Sequence, residues 1–362
     1  MYAAAFSNLS ASIAEDIDDI TGSGLPTLKS GDVFLVYSHM PFRRGYYSTP
    51  TNPVLFRAWC DTDGTTHRDT LITYPDTDVS STKEVMYKVL SDVKELFPAP
   101  HYGMIISSHG KGWIPTGYTE QYAFAFSSVS PSGQQTREIC IETVNDSGID
   151  VCDLADALPL KFDFIIMDSC LMGGIETAWE VRDKCKLLLF SPTEILNDGM
   201  RYSTMGPLLT NVASPDIKRI AAEYYDYYQS MSGSYQSAAI TLIDCSRLEP
   251  IASACRKLVD KYRIAIEQTN SQKVQAYFYN ELHWFFDLRD IFVQAGATDE
   301  DLAELDEALS DAIVYTASTE YFFNLKLERV CGLSMYKPYS ILEDLNSFYR
   351  NLSWNKAIGL IQ

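Results

Sequence analysis

Six short apolar runs in the first 245 residues, separated by helical patterns, constrain this chain more than any other feature. Asp32–Ser38, Leu71–Tyr74, Gly103–Ser107, Phe162–Met167, Lys186–Phe190 and Ala238–Ile243 each read as a strand. Near-continuous apolar runs of this length belong to strands covered on both faces. Between them, Ser80-Ser81-Thr82 supplies N-cap chemistry for a helix whose Val85, Val89, Val93 and Leu96 fall at helical spacing. Helices are also expected over Leu171–Lys184 and Ile217–Tyr228. Strands alternating with helices imply an α/β sandwich around a mostly parallel sheet. After about residue 246 the texture turns mainly helical, over Leu248–Gln268 and Asp299–Ser318, with one late strand at Gly332–Tyr336. No repeat or Pro/Gly/Ser-rich linker separates the two parts, so the expected organisation is one domain over 1–245 with an extension, 246–362, packed on it.

Charge narrows the partners. The 362 residues carry 48 Asp+Glu against 29 Lys+Arg, a formal net charge of −19. Phosphate backbones need clustered Lys and Arg, so this balance argues against nucleic acid and anionic membrane surfaces. Its field favours cationic partners, although solubility alone accounts for most acidic proteins. No stretch reaches the roughly 18 to 20 apolar residues of a membrane span. The eight cysteines include no Cys-x-x-Cys pair, so a zinc or thioredoxin-type site has no support, and no metal ligands are assigned. Met1 stands directly against Tyr2-Ala3-Ala4-Ala5-Phe6, with no basic region ahead of an apolar run. That reads as a trimmed start, with any export signal lying outside the sequence.

Two strand ends carry residues suited to chemistry, and in open α/β sheets ligands bind beyond the carboxyl ends of strands. One strand runs into Ser108-His109-Gly110-Lys111-Gly112-Trp113, the other into Asp168-Ser169-Cys170-Leu171-Met172-Gly173-Gly174-Ile175-Glu176. At a strand-to-helix junction, Cys170 feels the positive end of the helix macrodipole, which favours the nucleophilic thiolate. A buried structural cysteine is the plainer reading. A histidine near its solution pKa can carry protons at neutral pH, and His109 is followed by glycines that let a substrate approach, but for a lone histidine a loop residue satisfied by the backbone is the plainer reading. If the two strands are neighbours, a Cys–His pair meets at one edge of the sheet.

The order His-Gly after one strand, then Asp-x-Cys after the next, resembles the caspase-like clan of cysteine peptidases, and within it the clostripain family. Tyr2–Leu9, Ser191-Pro192-Thr193-Glu194 with Asp198-Gly199 and Tyr202, and Cys331-Gly332-Leu333-Ser334-Met335-Tyr336 extend the likeness over most of the chain. The resemblance implies a caspase-like three-layer α/β sandwich, with a catalytic domain over 1–245 and a mainly helical C-terminal extension. It also implies that Cys170 is the nucleophile, His109 the acid/base, and the N–H groups of Gly110 and Cys170 the oxyanion hole. Asp168 takes the position at which relatives bind Arg or Lys before the cleaved bond, consistent with charge-assisted pairing. A helix-capping role is the alternative for Asp168. Asp198 is a second pocket wall or a turn residue before Gly199. Met200 and Arg201 stand where several relatives have an aromatic and a Pro, and Arg201 either competes with substrate or faces solvent.

The expected activity is endopeptidase cleavage after Arg or Lys through a thioester acyl-enzyme, on polypeptide substrates, with no cofactor required for the chemistry. Family members are often zymogens cut between His and Cys, and Arg137 is the best processing candidate here. A silent or zymogen-locked peptide-binding protein is the alternative. Relatives are mostly exported by bacteria, and some depend on calcium. Asp61-Thr62-Asp63-Gly64-Thr65-Thr66 superficially resembles a calcium loop but reads better as a hairpin turn.

Overall fold

The computed structural model describes residues 1–7, 9–22, 24–44, 47–49, 51–118, 148–278 and 284–362, side chains excepted at 42–44 and 47–49. All six apolar runs become strands of one nine-stranded sheet. The strands are β1 (Tyr2–Ala4), β2 (Phe34–His39), β3 (Val54–Cys60), β4 (Thr66–Thr73), β5 (Gly103–Ser107), β6 (Phe162–Asp168), β7 (Cys185–Phe190), β8 (Ala239–Asp244) and β9 (Ile313–Ser318). Their order is β9-β8-β7-β6-β5-β1-β2-β3-β4. The five central strands, β2-β1-β5-β6-β7, run parallel. Antiparallel strands flank them, β3 and β4 on one side and β8 and β9 on the other. Ile165, Ile166, Leu188 and Leu189 are fully buried, as strands covered on both faces require.

The helices are α1 (Ser10–Gly22), α2 (Lys83–Leu96), α3 (Val151–Leu154), α4 (Ile175–Val181), α5 (Tyr202–Leu209), α6 (Ile217–Gln229), α7 (Leu248–Gln268), α8 (Leu288–Gln294), α9 (Asp299–Ala312), α10 (Glu343–Asn351) and α11 (Ser353–Ile358). Thr82 caps α2 as expected, its side chain accepting from Val85 N–H.

Cross-strand pairing sorts the two faces of the sheet. Tyr2 pairs with Tyr37 and Ile106, and Ile106 with Met167, so these four share a face. The hydroxyls of Tyr2 and Tyr37 both reach Ser80, just ahead of α2. Asp168, one residue beyond Met167, points the other way and meets Tyr202 at the start of α5, which packs on α1.

Residues 246–362 pack on the rest and also complete its sheet. The helical pattern expected over Asp299–Ser318 stops at Ala312, and Ile313–Ser318 turns directly into the edge strand β9 against β8. Ile313, Val314, Tyr315 and Thr316 are β-branched or aromatic and suit a strand. The late strand shrinks to Ser334–Met335, which pairs with Phe286–Asp287 and bridges to Gly174. α11 packs on α4 and α7, with Trp354 edge-on to Trp179 at 5.4 Å.

The Asp61–Thr66 segment is the turn joining β3 to β4. Asp61 N–H donates to Thr65 O at 2.8 Å, and Gly64 takes the left-handed φ of 89°. Asp63 Oδ1 accepts from Thr65 N–H, while Asp61 Oδ2 lies 2.8 Å from His67 Nε2. Both carboxylates bond within the hairpin, the turn that the sequence predicts. Among the described residues no helix is long and apolar enough to cross a membrane.

Candidate active site

The two chemical motifs leave the sheet side by side. β5 and β6 are parallel neighbours in which Ser107 pairs with Asp168. His109 and Cys170 each lie two residues beyond that pair, so the loops diverge from one height. Gly110 then closes on the cysteine loop: a Cβ there would stand 2.4 Å from Cys170 O and 3.0 Å from Cys170 N. Gly112, with φ of 57°, leaves room for Leu171 O, which a Cβ would approach to 2.6 Å. Those glycines therefore serve close approach between the loops. Ser108 Oγ and Ser169 Oγ, 3.4 Å apart, add a polar link.

Cys170 is fully buried, under a strap formed by residues 191–195. Ile195 N–H donates to Cys170 Sγ at 3.2 Å, Leu171 N–H to Thr193 O at 2.9 Å, and Gly173 N–H to Ser191 O at 2.6 Å. Leu171 is held at φ of 60°, a left-handed conformation that costs a non-glycine residue about 1–2 kcal/mol. The strap's hydrogen bonds hold that turn in place.

The expected helix over Leu171–Lys184 is shorter at both ends. α4 spans only Ile175–Val181, with Gly174 in the N-cap position. The Gly173-Gly174 pair delays it, because Gly173 packs on the strap so tightly that a Cβ would meet Pro192 N at 2.3 Å. Cys170 is therefore not at a helix N-terminus, and the macrodipole, which fades within one turn, does not act on its sulfur. Asp168 is not a helix cap either, since it closes β6.

Asp168 is fully buried and accepts from Tyr202 Oη through Oδ2 at 2.6 Å. Asp198 is exposed, in a turn where Gly199 has φ of 61°, and Tyr227 Oη reaches its Oδ2 at 3.5 Å. The two carboxylates thus differ sharply in environment. Arg201 stacks its guanidinium on the Tyr227 ring at 4.0 Å. Lys111 is buried, its Nζ 2.5 Å from Thr116 Oγ1 and 3.4 Å from Asp150 Oδ1, which also accepts from Thr116 N–H. Arg137 lies outside the described residues. Among the described residues no cluster of three His, Cys, Asp or Glu side chains is placed to hold a metal.

Behind the site stands a buttress that joins Trp113, Glu176 and Tyr336, each within a sequence motif, to Tyr349, which belongs to none. Trp113 of the histidine loop packs on Tyr336 at 4.4 Å and edge-on to Tyr349 at 5.0 Å. Both tyrosines serve Glu176 of α4: Tyr336 N–H and Tyr349 Oη donate to its Oε1 at 2.8 and 2.7 Å. Burial raises the Glu176 pKa to about 7 against these donors. The extension thereby ties the histidine loop to the helix behind the cysteine. α4 carries two glutamates, Glu176 and Glu180, and of the two Glu176 is the fully buried one.

Comparisons with known proteins agree with this geometry. An inactive zymogen C11 protease from Parabacteroides distasonis superposes with a TM-score of 0.81 at 26% identity, covering 99% of this chain and 96% of that one. The secreted C11 cysteine protease iotapain of Bacteroides thetaiotaomicron gives 0.81 at 23% identity, over 99% and 97%. A secreted Bacteroides thetaiotaomicron C11 cysteine protease bound to an irreversible peptide inhibitor gives 0.75 at 24% identity, again over 99% and 97%. At those identities the two Bacteroides likenesses speak for the fold alone. A search of curated protein sequences gave no match. The sequence matches the clostripain family over residues 1–359. A caspase-like sheet with its Cys and His loops in register, matched along nearly its whole length, makes this chain a member of the clostripain family of cysteine proteases.

Proposed function

We propose that the chain is an endopeptidase that cleaves after Arg, and also Lys, through a Cys170–His109 dyad. The observation that carries this reading is the shared register of β5 and β6, with Gly110 against the Cys170 backbone. The Cys170 thiolate attacks the scissile carbonyl carbon, and the carbonyl electron pair moves onto oxygen. The N–H groups of Gly110 and Cys170 receive that oxyanion, each such donor contributing roughly 3 kcal/mol. As the tetrahedral intermediate collapses to a thioester, the C–N bond breaks and His109 protonates the departing amine. Water, deprotonated by His109, then hydrolyses the thioester and restores the thiol. Both reacting groups belong to the protein, so the chemistry needs no cofactor, and any calcium requirement is structural.

Asp168 holds the guanidinium or ammonium of the residue before the bond, and Asp198 forms the outer wall of that pocket. The buried carboxylate at the end of β6, two residues before Cys170, supports this assignment. Arg137, between the His and Cys motifs, is the proposed processing site. Export from a bacterial cell is part of the same reading, supported by the secreted Bacteroides neighbours.

A second reading has an observation of its own: Cys170 is fully buried and Asp168 is engaged by Tyr202, as in a latent form. Fluorogenic peptides ending in Arg, Lys, Asp, Asn or Leu decide between them, with and without calcium and before and after trypsin. Turnover of Arg that is lost in Cys170→Ala, and loses its basic preference in Asp168→Ala, upholds the proposal. Turnover of Asp or Leu instead removes the role of Asp168. Silence on every substrate after trypsin favours the locked peptide-binding protein.

A further inference from the structure

On the face of the sheet opposite Asp168, a cavity of about 120 Å³ opens beside His109 and Gly110. Tyr2, Met86, Ile106, Leu154, Met167 and Met172 form its mostly apolar walls. Tyr2, Ile106 and Met167 are the cross-strand partners that define this face. An aliphatic-lined cavity of roughly 150 Å³ stays dry and accepts a benzene-sized group. This one is thus of a size for one unbranched or γ-branched apolar side chain. The ammonium of Lys111 borders it, but Asp150 lies 3.4 Å from that nitrogen and balances its charge.

We propose that this cavity receives the side chain of the residue following the scissile bond and selects Leu or Met there. The inference rests on the proposed dyad. A peptide lying extended across the ends of β5 and β6 presents successive side chains to opposite sides. Asp168 draws the side chain before the bond to the face it shares with Tyr202. The next side chain then points to the other face, over Ile106 and Met167. His109 agrees with this polarity, because it lines the cavity and must protonate the amine of that same next residue. The three methionines make the walls adaptable without admitting charge.

The test reads both sides of every cleaved bond. A proteome-derived peptide library is digested with the trypsin-activated enzyme, the activating trypsin having been removed and inhibited, and the cleaved bonds are mapped by mass spectrometry. Leu and Met enriched about tenfold or more over Gly, Asp and Lys after the bond is the expected result. Met86→Ala enlarges the cavity and moves the preference toward Phe, read as the Phe-to-Leu ratio within one digest. A flat distribution after the bond, or a ratio unmoved in Met86→Ala, overturns the inference. The residue before the bond is scored separately. Apolar selection after the bond combined with residues other than Arg or Lys before it upholds this cavity and refutes the specificity assigned to Asp168. No cleavage at all overturns both.

Discussion

Replacing Glu176 with Gln tests the electrostatics of the buttress behind the active site. The carboxyl is fully buried between α4 and the C-terminal segment, and its Oε1 accepts from Tyr336 N–H and Tyr349 Oη. Desolvation outweighs those donors and lifts the pKa from 4.5 to about 7. Because the folded value lies above the unfolded one, the folded protein keeps a proton between pH 4.5 and about 7 that the unfolded chain has released. The stability this provides is complete below pH 4.5 and is lost as pH rises through about 7. Each tenfold change in proton affinity is worth about 1.4 kcal/mol, so the ionised side chain costs the fold on the order of 3 kcal/mol at pH 8. Gln keeps the size and the accepting oxygen but cannot ionise. With an unfolding entropy near 2 cal/mol/K per residue, 3 kcal/mol moves the Tm of a chain this long by about 4 °C. Calorimetric melts of both proteins at pH 5 and pH 8 are the assay. Glu176→Gln is expected to melt higher at pH 8, by about 4 °C, with the gap closing at pH 5. An equal or lower Tm for the variant at pH 8 would refute the reasoning, because it would mean that the ionised carboxylate is stabilised where it sits.

Three further substitutions probe the loops. Gly110→Ala places a methyl 2.4 Å from Cys170 O, so the loops must part; kcat is expected to fall about 100-fold or more. A kcat within a few-fold of wild type would dissociate Gly110 from the site. Tyr202→Phe keeps the ring and removes one donor from the buried Asp168, which is expected to cost about 1–3 kcal/mol in denaturant unfolding. An unchanged midpoint would show that this hydrogen bond adds nothing net. Gly332→Ala forces a side chain onto a φ of 92° and within 2.4 Å of Thr316 Oγ1. A loss of at least about 1 kcal/mol is expected there, and a neutral result in the same unfolding assay would contradict the strain.

Local chemistry made part of this protein legible and hid the rest. The apolar run Gly103–Ser107 matches its strand residue for residue, and Phe162–Met167 falls one residue short of its own, because apolar runs between polar breaks have few other ways to be buried. The His and Cys motifs follow those strands at equal distance, so finding the strands found the pair. Propensity failed where two signals met without a break. α9 passes into β9 with no turn at Ala312, so its helical period masked the β-branched run that follows. At Leu171–Gly174 a helix-like stretch is held open by a strap twenty residues further on, a contact no local pattern records.

The buttress shows the same limit at longer range, with a consequence for function. Trp113 and Glu176 belong to the two motifs, yet what unites them is Tyr336 and Tyr349, more than 150 residues after the cysteine. An extension that only covered the sheet would need no hydrogen bonds to a buried carboxyl beside the Cys170 loop. Here it donates two, and it supplies the sheet's last strand as well. The mutual position of the His and Cys loops is therefore set partly by residues 313–349. The geometry that would allow proteolysis is a property of the whole chain, and the first 245 residues do not contain it alone.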